Sequence, residues 1–558
     1  MSREKIIVTG ALPYANGPIH FGHIAGAYLP ADIYARYKRA AGSDVIFICG
    51  SDEHGVAITF AAEKEGVPYQ EYVDRWHEEH KKFFKNLNIE FDYFGRTSLP
   101  EHHKLSQQFF TDLLNNGFIK AKETTQHYCS KHRFLADRYL SGTCPYCGKI
   151  GARGDECPSC GRWLNATDLS AVKCALCGST TELKETRHWF LQLQALSPKL
   201  KEWLESKSDW REGVKKFALS MIEEGLKERA ITRDLSWGVP VPLGDAKGKV
   251  LYVWFDAPIG YISITQEWAD TTGKPGLCND YWQDKGCKLI HFMGKDNIPF
   301  HAIVWPAMIM GQKQPYILPA NVVGNEFFHL EGRKFSKSEG WYIDTDLFFK
   351  KFDVNSLRYY LSRVLPETSD SSFYWREFQK LHNTELADIY GNFVNRLLTF
   401  IQKYFDGIVP APKKLQKIDE ELIRGIGEVF ESLTNQLESF EIRDGVSSMM
   451  DIARIGNKYF NDSAPWATKK DDPDRCAATL HTSMQLLYLL AIATYPFMPS
   501  IAETVWKMAR FSGDVKDAKW SVALPTFIKH KIEEPRVLFK KIEDSQIEEE
   551  LGKLPSSK

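Results

Sequence analysis

Two short segments of the chain carry side chains suited to phosphate chemistry. In PYANGPIHFGH, which spans Pro13–His23, His20 and His23 flank a Phe-Gly pair, and two imidazoles can donate hydrogen bonds to a phosphoryl group in its transition state. Far downstream, KFSKS places Lys334 and Lys337 three residues apart, where two ammonium groups could neutralise a triphosphate during displacement. Either segment alone also fits a histidine-containing turn or a solvated lysine loop. Their presence in one chain favours a nucleotide site.

A second group of reactive side chains lies between residues 129 and 177, which hold seven of the 11 cysteines. With one histidine they form four pairs whose members are separated by two residues: Cys129/His132, Cys144/Cys147, Cys157/Cys160 and Cys174/Cys177. This spacing suits tetrahedral zinc, because the tight turn directs both side chains at one ion. So dense a cluster argues against unrelated buried cysteines. Four protein ligands would leave no open coordination position, so we expect the zinc to be structural.

The HFGH segment lies between predicted elements of an α/β sheet. KIIVTG at residues 5–10 predicts a buried strand, a helix is predicted from about Gly22 to Ala41, and Val45–Cys49 predicts a second buried strand. Strand, loop, helix and strand in this order are typical of a doubly wound parallel sheet. Ligands bind such a sheet at the carboxyl ends of its strands, beside helix N-termini. A glycine at position 22 would let the backbone approach a nucleotide.

The rest of the chain changes pattern twice. The sequence predicts helices near 56–65, 69–87, 101–116, 195–205, 211–228 and 298–310, and strands at Val250–Phe255, Leu289–Met293 and about 316–323. From about residue 375 to 510 every long segment has helical periodicity. The predicted fold class is therefore α/β: a Rossmann-like doubly wound parallel sheet, split by a zinc-binding insertion and followed by an α-helical bundle domain.

The length of 558 residues exceeds what one hydrophobic core supports. The pattern changes predict five parts: the first half of the sheet domain at 1–116, an inserted domain with zinc knuckles at 117–235, the second half of the sheet domain at 236–325, a region with the KFSKS loop at 326–385, and a helical domain with a C-terminal tail at 386–558. The last 45 or so residues are mixed and charged, so we expect them to lie on the surface.

Composition excludes several classes of protein. The formal net charge is -1, so a nucleic acid would have to be bound by local basic patches. The N-terminus lacks the apolar core of a signal peptide. The most apolar stretch, Gln485–Ala493, is shorter than the ~20 residues that a membrane helix needs. We therefore expect a cytoplasmic protein without a membrane partner.

The two phosphate motifs, HFGH and KFSKS, resemble the "HIGH" and "KMSKS" signatures of class I aminoacyl-tRNA synthetases. The surrounding segments ALPYANGPIHFGH, FICGSDEHG, YVWFDAPIGYI, HFMGKD and SAPW resemble the methionyl-tRNA synthetase family, in family order, and the resemblance extends to about residue 510. One departure is Phe335, where methionine is usual; we expect this side chain to pack within its own loop. The resemblance implies a methionine–tRNA ligase, which activates L-methionine with ATP and Mg²⁺ and transfers it to the 3′ end of tRNA(Met), both elongator and initiator.

The resemblance also implies roles for individual residues. The catalytic residues would be His20, His23, Lys334 and Lys337. ATP would be bound by His20, Gly22, His23, Asp296 and Lys337. Asp52 would hold the α-ammonium group of methionine, and the amino-acid pocket would be lined by Leu12, Tyr14, Trp254, Ala257, Pro258, Tyr261 and His301. Aromatic groups suit a thioether, although core packing is the commoner role of such side chains.

The remaining implied sites concern metal and tRNA. The inner pairs, Cys144/Cys147 and Cys157/Cys160, would share a first zinc. The outer pairs, Cys129/His132 and Cys174/Cys177, would share a second, with His132 where a cysteine is more usual. Asn392 and Arg396 are four residues apart and so share a helix face; with Trp466 they resemble the residues that read the CAU anticodon. A solvated polar face and a core tryptophan are the alternative.

Other functions remain open at this stage. A class I synthetase for another apolar amino acid (leucine, isoleucine or valine) would share both signatures but would carry a larger editing insertion. A cysteinyl enzyme would need zinc in the active site. A small nucleotidylyltransferase with H-x-G-H would lack the helical domain, and a zinc-ribbon RNA-binding protein would not need both phosphate motifs. We expect a monomer, because no C-terminal dimerisation module is evident.

Overall fold

The structure is a computed structural model that describes residues 3–136, 139–154, 157, 159–160, 164, 166–336 and 339–555. Lys337, one of the predicted catalytic residues, lies outside the described residues.

The first part of the chain alternates strands with helices, as the sequence predicts. Its elements are β1 Lys5–Gly10, α1 Phe21–His23, a π-helical turn Ile24–Tyr28, α2 Leu29–Ala40, β2 Asp44–Ser51, α3 Val56–Glu65, α4 Tyr69–Asn86, β3 Tyr93–Arg96 and α5 Pro100–Asn115. β1 and β2 are buried along almost their whole length, which is typical of a parallel sheet covered by helices on both faces.

The inserted region is built mostly from short strands. Its elements are β4 Ile119–Cys129, β5 Arg133–Phe134, β6 Leu140–Thr143, β7 Ile150–Ala152, β8 Ser170–Cys174, β9 Glu182–Leu191, α6 Leu193–Glu205, α7 Glu212–Glu223, β10 Arg229–Ala230 and β11 Thr232–Arg233. β4 and β9 form a long antiparallel pair. The predicted helix 211–228 is shorter than expected, because Gly225 with φ 91° terminates it.

The sheet then resumes. The elements are β12 Val250–Leu251, α8 Val253–Asp256, a 3₁₀ turn Ala257–Ile259, α9 Gly260–Thr271, α10 Leu277–Trp282, β13 Lys288–Gly294, a 3₁₀ turn Lys295–Asn297, a π-helical turn Phe300–Val304, α11 Trp305–Met310 and β14 Pro319–Asn325. The predicted strand Val250–Phe255 is wrong, because only β12 is extended and α8 follows it. A short apolar run does not distinguish a strand from a buried helical turn.

The main sheet has five strands in the order β14-β13-β1-β2-β3, and every pair in it is parallel. β1 is central, and the chain moves to opposite sides of it for β2 and β13. Such a switch point leaves a crevice at the carboxyl ends of the strands. The predicted Rossmann-like sheet, split by an insertion, is confirmed.

The last third of the described chain is almost entirely helical. A connecting region comes first, with β15 Phe328–Leu330, α12 Thr345–Lys351, α13 Val354–Arg363, β16 Ser371–Phe373 and α14 Trp375–Leu381. The bundle follows, with a π-helical segment His382–Gly391, α15 Asn392–Tyr404, α16 Lys417–Glu438, α17 Ile442–Asp462, α18 Pro465–Asp471, α19 Pro473–Thr494, α20 Pro499–Met508, a 3₁₀ turn Val515–Asp517 and α21 Asp544–Leu551.

Within the part of the chain that the structure describes, one helix, α19, is long and apolar enough to cross a membrane, but nearly all of its apolar window is buried among the other helices. Its apolar character is therefore explained by core packing. The C-terminal segment is more buried than its charge suggested: Phe539 and Ile547 are almost inaccessible, and Gln379 Nε2 of α14 donates to Asp544 Oδ1 at 2.7 Å.

A buried ionic cluster joins the sheet to the helical bundle. Asp32 Oδ2 on α2 accepts from Arg36 Nε at 2.9 Å and from Arg358 Nη2 at 2.6 Å. Arg358 Nε also donates to the carbonyl of Phe497, between α19 and α20, at 2.8 Å. Because both arginines are hydrogen-bonded several times, the buried charges are compensated.

Candidate active site

The HFGH segment forms the first turn of helix α1, and its own backbone orients both imidazoles. The amide of Gly22 donates to His20 Nδ1 at 3.1 Å, and the amide of His20 donates to His23 Nδ1 at 3.2 Å. With each Nδ1 acting as an acceptor, the proton of a neutral ring resides on Nε2. Burial lowers the pKa of His20 to about 4, so this ring is neutral at pH 7. The two rings stack with centroids 3.8 Å apart.

The orientation of the His20 ring requires a glycine at position 22. A Cβ at this position would lie 2.9 Å from Cε1 of His20 and 3.3 Å from the carbonyl oxygen of Phe328. A side chain at position 22 would therefore push His20 out of its orientation. This is a different reason for glycine from the close nucleotide approach that the sequence suggested.

The described part of the KFSKS segment, residues 334–336, lies beside the HFGH segment in space. Phe335 stacks on His20 with ring centroids 4.7 Å apart and an interplanar angle of 10°. The expectation that Phe335 packs within its own loop is therefore wrong, because the ring bridges the two motifs. Lys334 is exposed. Ser336 and Trp341 exchange backbone hydrogen bonds at 2.8 Å, which closes the base of the loop.

Asp52 lies directly after β2, at the carboxyl edge of the sheet. Its side chain is buried and its Oδ1 has no hydrogen-bond partner. Its backbone is fixed, since its amide donates to the carbonyl of Pro13 at 2.9 Å and its carbonyl accepts from Ala15 at 2.8 Å. Burial, together with the nearby charge of Asp256, raises the pKa of Asp52 well above its usual range. A buried, unpaired carboxylate of this kind would be stabilised by a bound cation.

The aromatic residues of the predicted amino-acid pocket come together near Asp52. Trp254 on α8 stacks on Phe300 with centroids 4.1 Å apart, and Tyr14 meets Trp254 edge-on at 6.4 Å. Leu12 packs so closely on Gly260 that a Cβ there would lie 2.9 Å from the leucine Cδ1. Phe300 was not predicted. Its place in the first turn of the predicted helix 298–310, shortly after the predicted strand Leu289–Met293, is the only signal in the sequence that could have drawn attention to it.

The other side of this region is polar and fully buried. The hydroxyl of Tyr261 on α9 is 2.8 Å from His301 Nε2, and His301 Nδ1 is 3.1 Å from the carbonyl of Asn297. The carbonyl requires a donor, so Nδ1 carries the proton and Nε2 accepts from the tyrosine. Burial lowers the pKa of His301 to about 4. Thr9 Oγ1 lies 2.6 Å from Nδ1 of the adjacent His291, which the sequence analysis missed.

The remaining predicted ligand residues lie at the same edge of the sheet. Ala257 and Pro258 form the 3₁₀ turn between α8 and α9, and Asp296 is exposed in the turn that follows β13.

A buried hydrogen-bonded cluster that the sequence analysis missed supports the segment carrying these residues. Asp256 Oδ2 is 2.7 Å from His54 Nδ1 and 3.3 Å from His102 Nε2, and all three side chains are almost inaccessible. Asp256 immediately precedes Ala257, and His54 lies two residues after Asp52. The cluster therefore ties the Asp52 loop to the α8–α9 segment.

The eight predicted zinc ligands form two groups, nested as the pairs are in sequence. One group is Cys144, Cys147, Cys157 and Cys160, and the other is Cys129, His132, Cys174 and Cys177; within each group the ligand atoms lie within 4.8 Å of one another. The neighbouring Sγ–Sγ distances of 3.7 and 3.9 Å match the roughly 3.8 Å edge of a tetrahedron with Zn–S bonds of about 2.3 Å.

Glycine follows three of the cysteine pairs, and the knuckle turns explain it at the two of these glycines that the structure describes. Gly148 has φ 70° and Gly178 has φ 71°, a conformation that glycine adopts without strain. Their amides donate to the carbonyls of Cys144 and Cys174 at 3.0 and 2.8 Å. Each tight turn leaves both side chains of its pair directed to one point. The donor set and the spacing fit a zinc ion in both groups.

The three residues predicted to read an anticodon share one surface of the helical domain. Asn392 and Arg396 lie on α15, and the Arg396 guanidinium carbon is 5.6 Å from the ring of Trp466. Trp466 is half exposed. It is the second residue of α18, because Ala464 with φ 37° turns the chain and Pro465 begins the helix.

Comparisons with known proteins agree with this arrangement. Residues 6–398 match the family model described as tRNA synthetases class I (M). Residues 409–556 match the model described as the anticodon binding domain of methionyl tRNA ligase. The two models together cover almost the whole chain.

Individual relatives match nearly all of this chain and somewhat more than three quarters of their own length. A methionine–tRNA ligase of Protochlamydia amoebophila is 46% identical over 99% of this chain and 79% of its own length. That of Pyrococcus furiosus is 46% identical over 97% of this chain and 76% of its own. A structure of Mycobacterium tuberculosis methionyl-tRNA synthetase with methionyl-adenylate superposes with a TM-score of 0.78 at 25% identity, covering 96% of this chain and all of that one.

Proposed function

Because the chain belongs to the methionyl-tRNA synthetase family of class I enzymes, whose reaction joins methionine to tRNA with ATP, we propose that the crevice at the carboxyl edge of its sheet performs the activation step. In that step the methionine carboxylate attacks the α-phosphorus of ATP in line. The P–O bond to the β-phosphate breaks, pyrophosphate leaves, and methionyl-adenylate forms. The terminal ribose hydroxyl of tRNA then attacks the acyl carbon and AMP leaves.

Specific side chains would serve the first step. Asp52 would bind the α-ammonium group, and the Nε2–H groups of His20 and His23 would donate to phosphate oxygens as negative charge develops. Lys334 and Lys337 would neutralise the phosphates from the loop. Mg²⁺ would arrive bound to ATP, whose other contacts we assign to Gly22 and Asp296.

The thioether of methionine would lie between the aromatic and polar sides of the adjacent pocket. Its walls would be Leu12, Tyr14, Trp254, Ala257, Pro258, Tyr261 and His301. A polarizable sulfur gains from aromatic contact. The neutral Tyr261–His301 pair, whose protons are already donated within the protein, would bound the pocket without placing a charge in it. Phe300 would extend the aromatic wall.

One observation supports this function above the others: the buried carboxyl group of Asp52, one of whose oxygens has no hydrogen-bond partner, lies at the same sheet edge as two imidazoles whose backbone contacts leave Nε2–H free to donate. The test is pyrophosphate exchange into ATP with each amino acid supplied alone. Methionine should support exchange, and leucine, isoleucine and valine should not. Exchange with one of these three but not with methionine would overturn the assignment.

We propose that two zinc ions per chain brace the insertion and take no part in the chemistry. The first would be held by Cys144, Cys147, Cys157 and Cys160, and the second by Cys129, His132, Cys174 and Cys177. Thiolate ligands suit a reducing compartment, which supports a cytoplasmic location. We further propose the five-part domain division given above and a monomeric enzyme, which sedimentation analysis would test.

We assign the reading of tRNA(Met), elongator and initiator, to the exposed surface of α15 and α18. Asn392 and Arg396 would contact base edges or phosphate, and Trp466 would stack on an unpaired base. The support is their shared face and the half-exposed indole.

A further inference from the structure

We propose that Tyr404 is a second stacking platform for an unpaired base of the tRNA, separate from the one at Trp466, and that Lys469 binds the phosphate accompanying that base. The inference rests on the proposed reading of tRNA by the helical domain. It adds a contact site that the motifs in the sequence did not indicate.

The environment of Tyr404 combines exposure with a fixed position. Tyr404 is the last residue of α15, and 42% of its surface is accessible. Phe400, one turn earlier, packs against its ring with centroids 4.7 Å apart. Two ammonium groups lie over the ring, Lys469 Nζ at 3.6 Å and Lys403 Nζ at 5.2 Å from the centroid. Proteins bind single-stranded nucleic acid with this combination of an exposed aromatic ring and neighbouring basic side chains.

The arrangement repeats the one at Trp466 with the roles of the helices exchanged. α15 supplies the cation Arg396 and the aromatic Tyr404, whereas α18 supplies the aromatic Trp466 and the cation Lys469. Each cation lies over the ring of the other helix, at 5.6 and 3.6 Å. The surface therefore presents two aromatic–cation pairs side by side.

The distance between the two aromatic–cation pairs indicates what arrangement of bases could stack on them. Eight residues along α15 separate Arg396 from Tyr404, which corresponds to about 12 Å. Bases stacked on one another are only about 3.4 Å apart. The two platforms therefore suit two bases that are splayed from a loop, and such unstacked bases are what proteins bind in single-stranded RNA.

The charges on this surface are not compensated by the protein. Among the described residues, no carboxylate lies within 4.0 Å of the cationic groups of Arg396, Lys403 or Lys469, whereas Lys458 on the neighbouring α17 is paired with Asp462 at 2.9 Å. Phosphate groups are the complementary ligand. When a base takes the ring face, the Lys469 ammonium can move from the ring to the backbone phosphate beside it.

Binding of a tRNA(Met) transcript by filter assay tests the proposal, with intact and with altered anticodon. Tyr404→Ala should weaken binding about tenfold, which equals about 1.4 kcal/mol, and Tyr404→Phe should bind nearly as the native protein does, because the ring is retained. Both transcripts should be affected by the same factor, since stacking on a ring tolerates any base. Lys469→Gln should reduce the slope of log K against log salt by about 0.7. Ile418→Ala, at an equally exposed apolar side chain on α16, is the control and should bind normally.

Trp466→Ala, measured in parallel, separates this inference from the proposed function. Native affinity in Tyr404→Ala with weakened, non-discriminating binding in Trp466→Ala would overturn the inference and leave the proposed function standing. Native affinity in both variants would overturn both the inference about Tyr404 and the proposed reading of tRNA by α15 and α18. A Tyr404→Phe loss as large as that of Tyr404→Ala, or a loss of anticodon discrimination in Tyr404→Ala, would also overturn a separate stacking site. Unchanged thermal unfolding would show that the Ala variant is folded.

Discussion

Replacing Asp52 by asparagine should make the methionine-free protein more stable while removing most of its affinity for methionine. The two effects have one cause. The carboxylate is buried and one of its oxygens has no partner, so the free protein retains an uncompensated group that the ammonium of methionine would compensate. An asparagine has the same shape, and burying its neutral amide costs less than burying a carboxylate.

The burial of Asp52 sets the size of the expected changes in unfolding temperature and in the Kd for methionine. An unsatisfied buried polar group costs about 1–3 kcal/mol, so the unfolding temperature without methionine should rise by a few degrees. Breaking a buried ion pair costs about 3 kcal/mol or more, so the Kd for methionine should rise by roughly 150-fold. Titration calorimetry and thermal unfolding at pH 8, each with and without methionine, measure both quantities.

The pH dependence of unfolding is an independent check on the direction of the stability change in Asp52→Asn. The folded-state pKa of Asp52 is raised by burial and by the charge of Asp256. The stability that the protonated carboxyl group contributes is therefore fully present below the unfolded-state pKa of about 3.9. The free energy of unfolding then falls as the pH rises from there through the folded-state pKa. The stability advantage of Asp52→Asn should therefore grow with pH across that window and then stay constant. The native protein should bind methionine more tightly as Asp52 ionises.

Asp32 provides a matched control, because it is equally buried but fully paired. Burial alone would raise its pKa, but Arg36 and Arg358 outweigh burial and lower it. Asp32→Asn should therefore lower the unfolding temperature at pH 8, since two buried guanidinium groups lose their partner. If Asp52→Asn behaved like Asp32→Asn and still bound methionine normally, the carboxylate of Asp52 would be structural and the reasoning wrong.

Three further predictions concern the other sites. Lys337→Ala should slow pyrophosphate exchange by a factor equivalent to ~3 kcal/mol, because the lysine acts on charge that develops in the transition state, with little change in methionine Kd; an equal rise in Kd at an unchanged rate would refute this. Elemental analysis should find two zinc ions per chain, and Cys144→Ser should lose one and destabilise the insertion, whereas a single zinc in the native protein would remove the site that includes His132. Trp466→Ala should impair charging of tRNA by roughly 1–3 kcal/mol and spare pyrophosphate exchange, and equal loss of both would mean that Trp466 supports the fold and does not read the anticodon.

The sequence predicts the main sheet because parallel strands that are buried on both faces are continuous apolar runs, as KIIVTG and VIFIC are. The same signal fails at Val250–Phe255, where Val253 and Phe255 are buried on a helical turn. An apolar run records burial and not conformation. Only the constraints on either side, β12 paired outside the main sheet and the turn at Pro258, determine that the chain leaves the extended state there.

The metal groups and the active site differ in what their sequence reveals. A zinc pair is local, since two ligands and the turn between them occupy four residues, and the structure indeed brings the eight ligands into two groups. The contacts that prepare the active site are not local. Phe335 stacks on His20 across more than half of the chain, and Asp256 reaches His54 and His102 from a different part of the sheet edge. Spacing in the sequence carries no trace of such contacts, because they are created only when the carboxyl ends of β1, β2 and β13 are brought side by side. The motifs therefore identify which groups do chemistry, whereas the folded sheet determines which uncharged aromatic and paired histidine residues hold those groups in position.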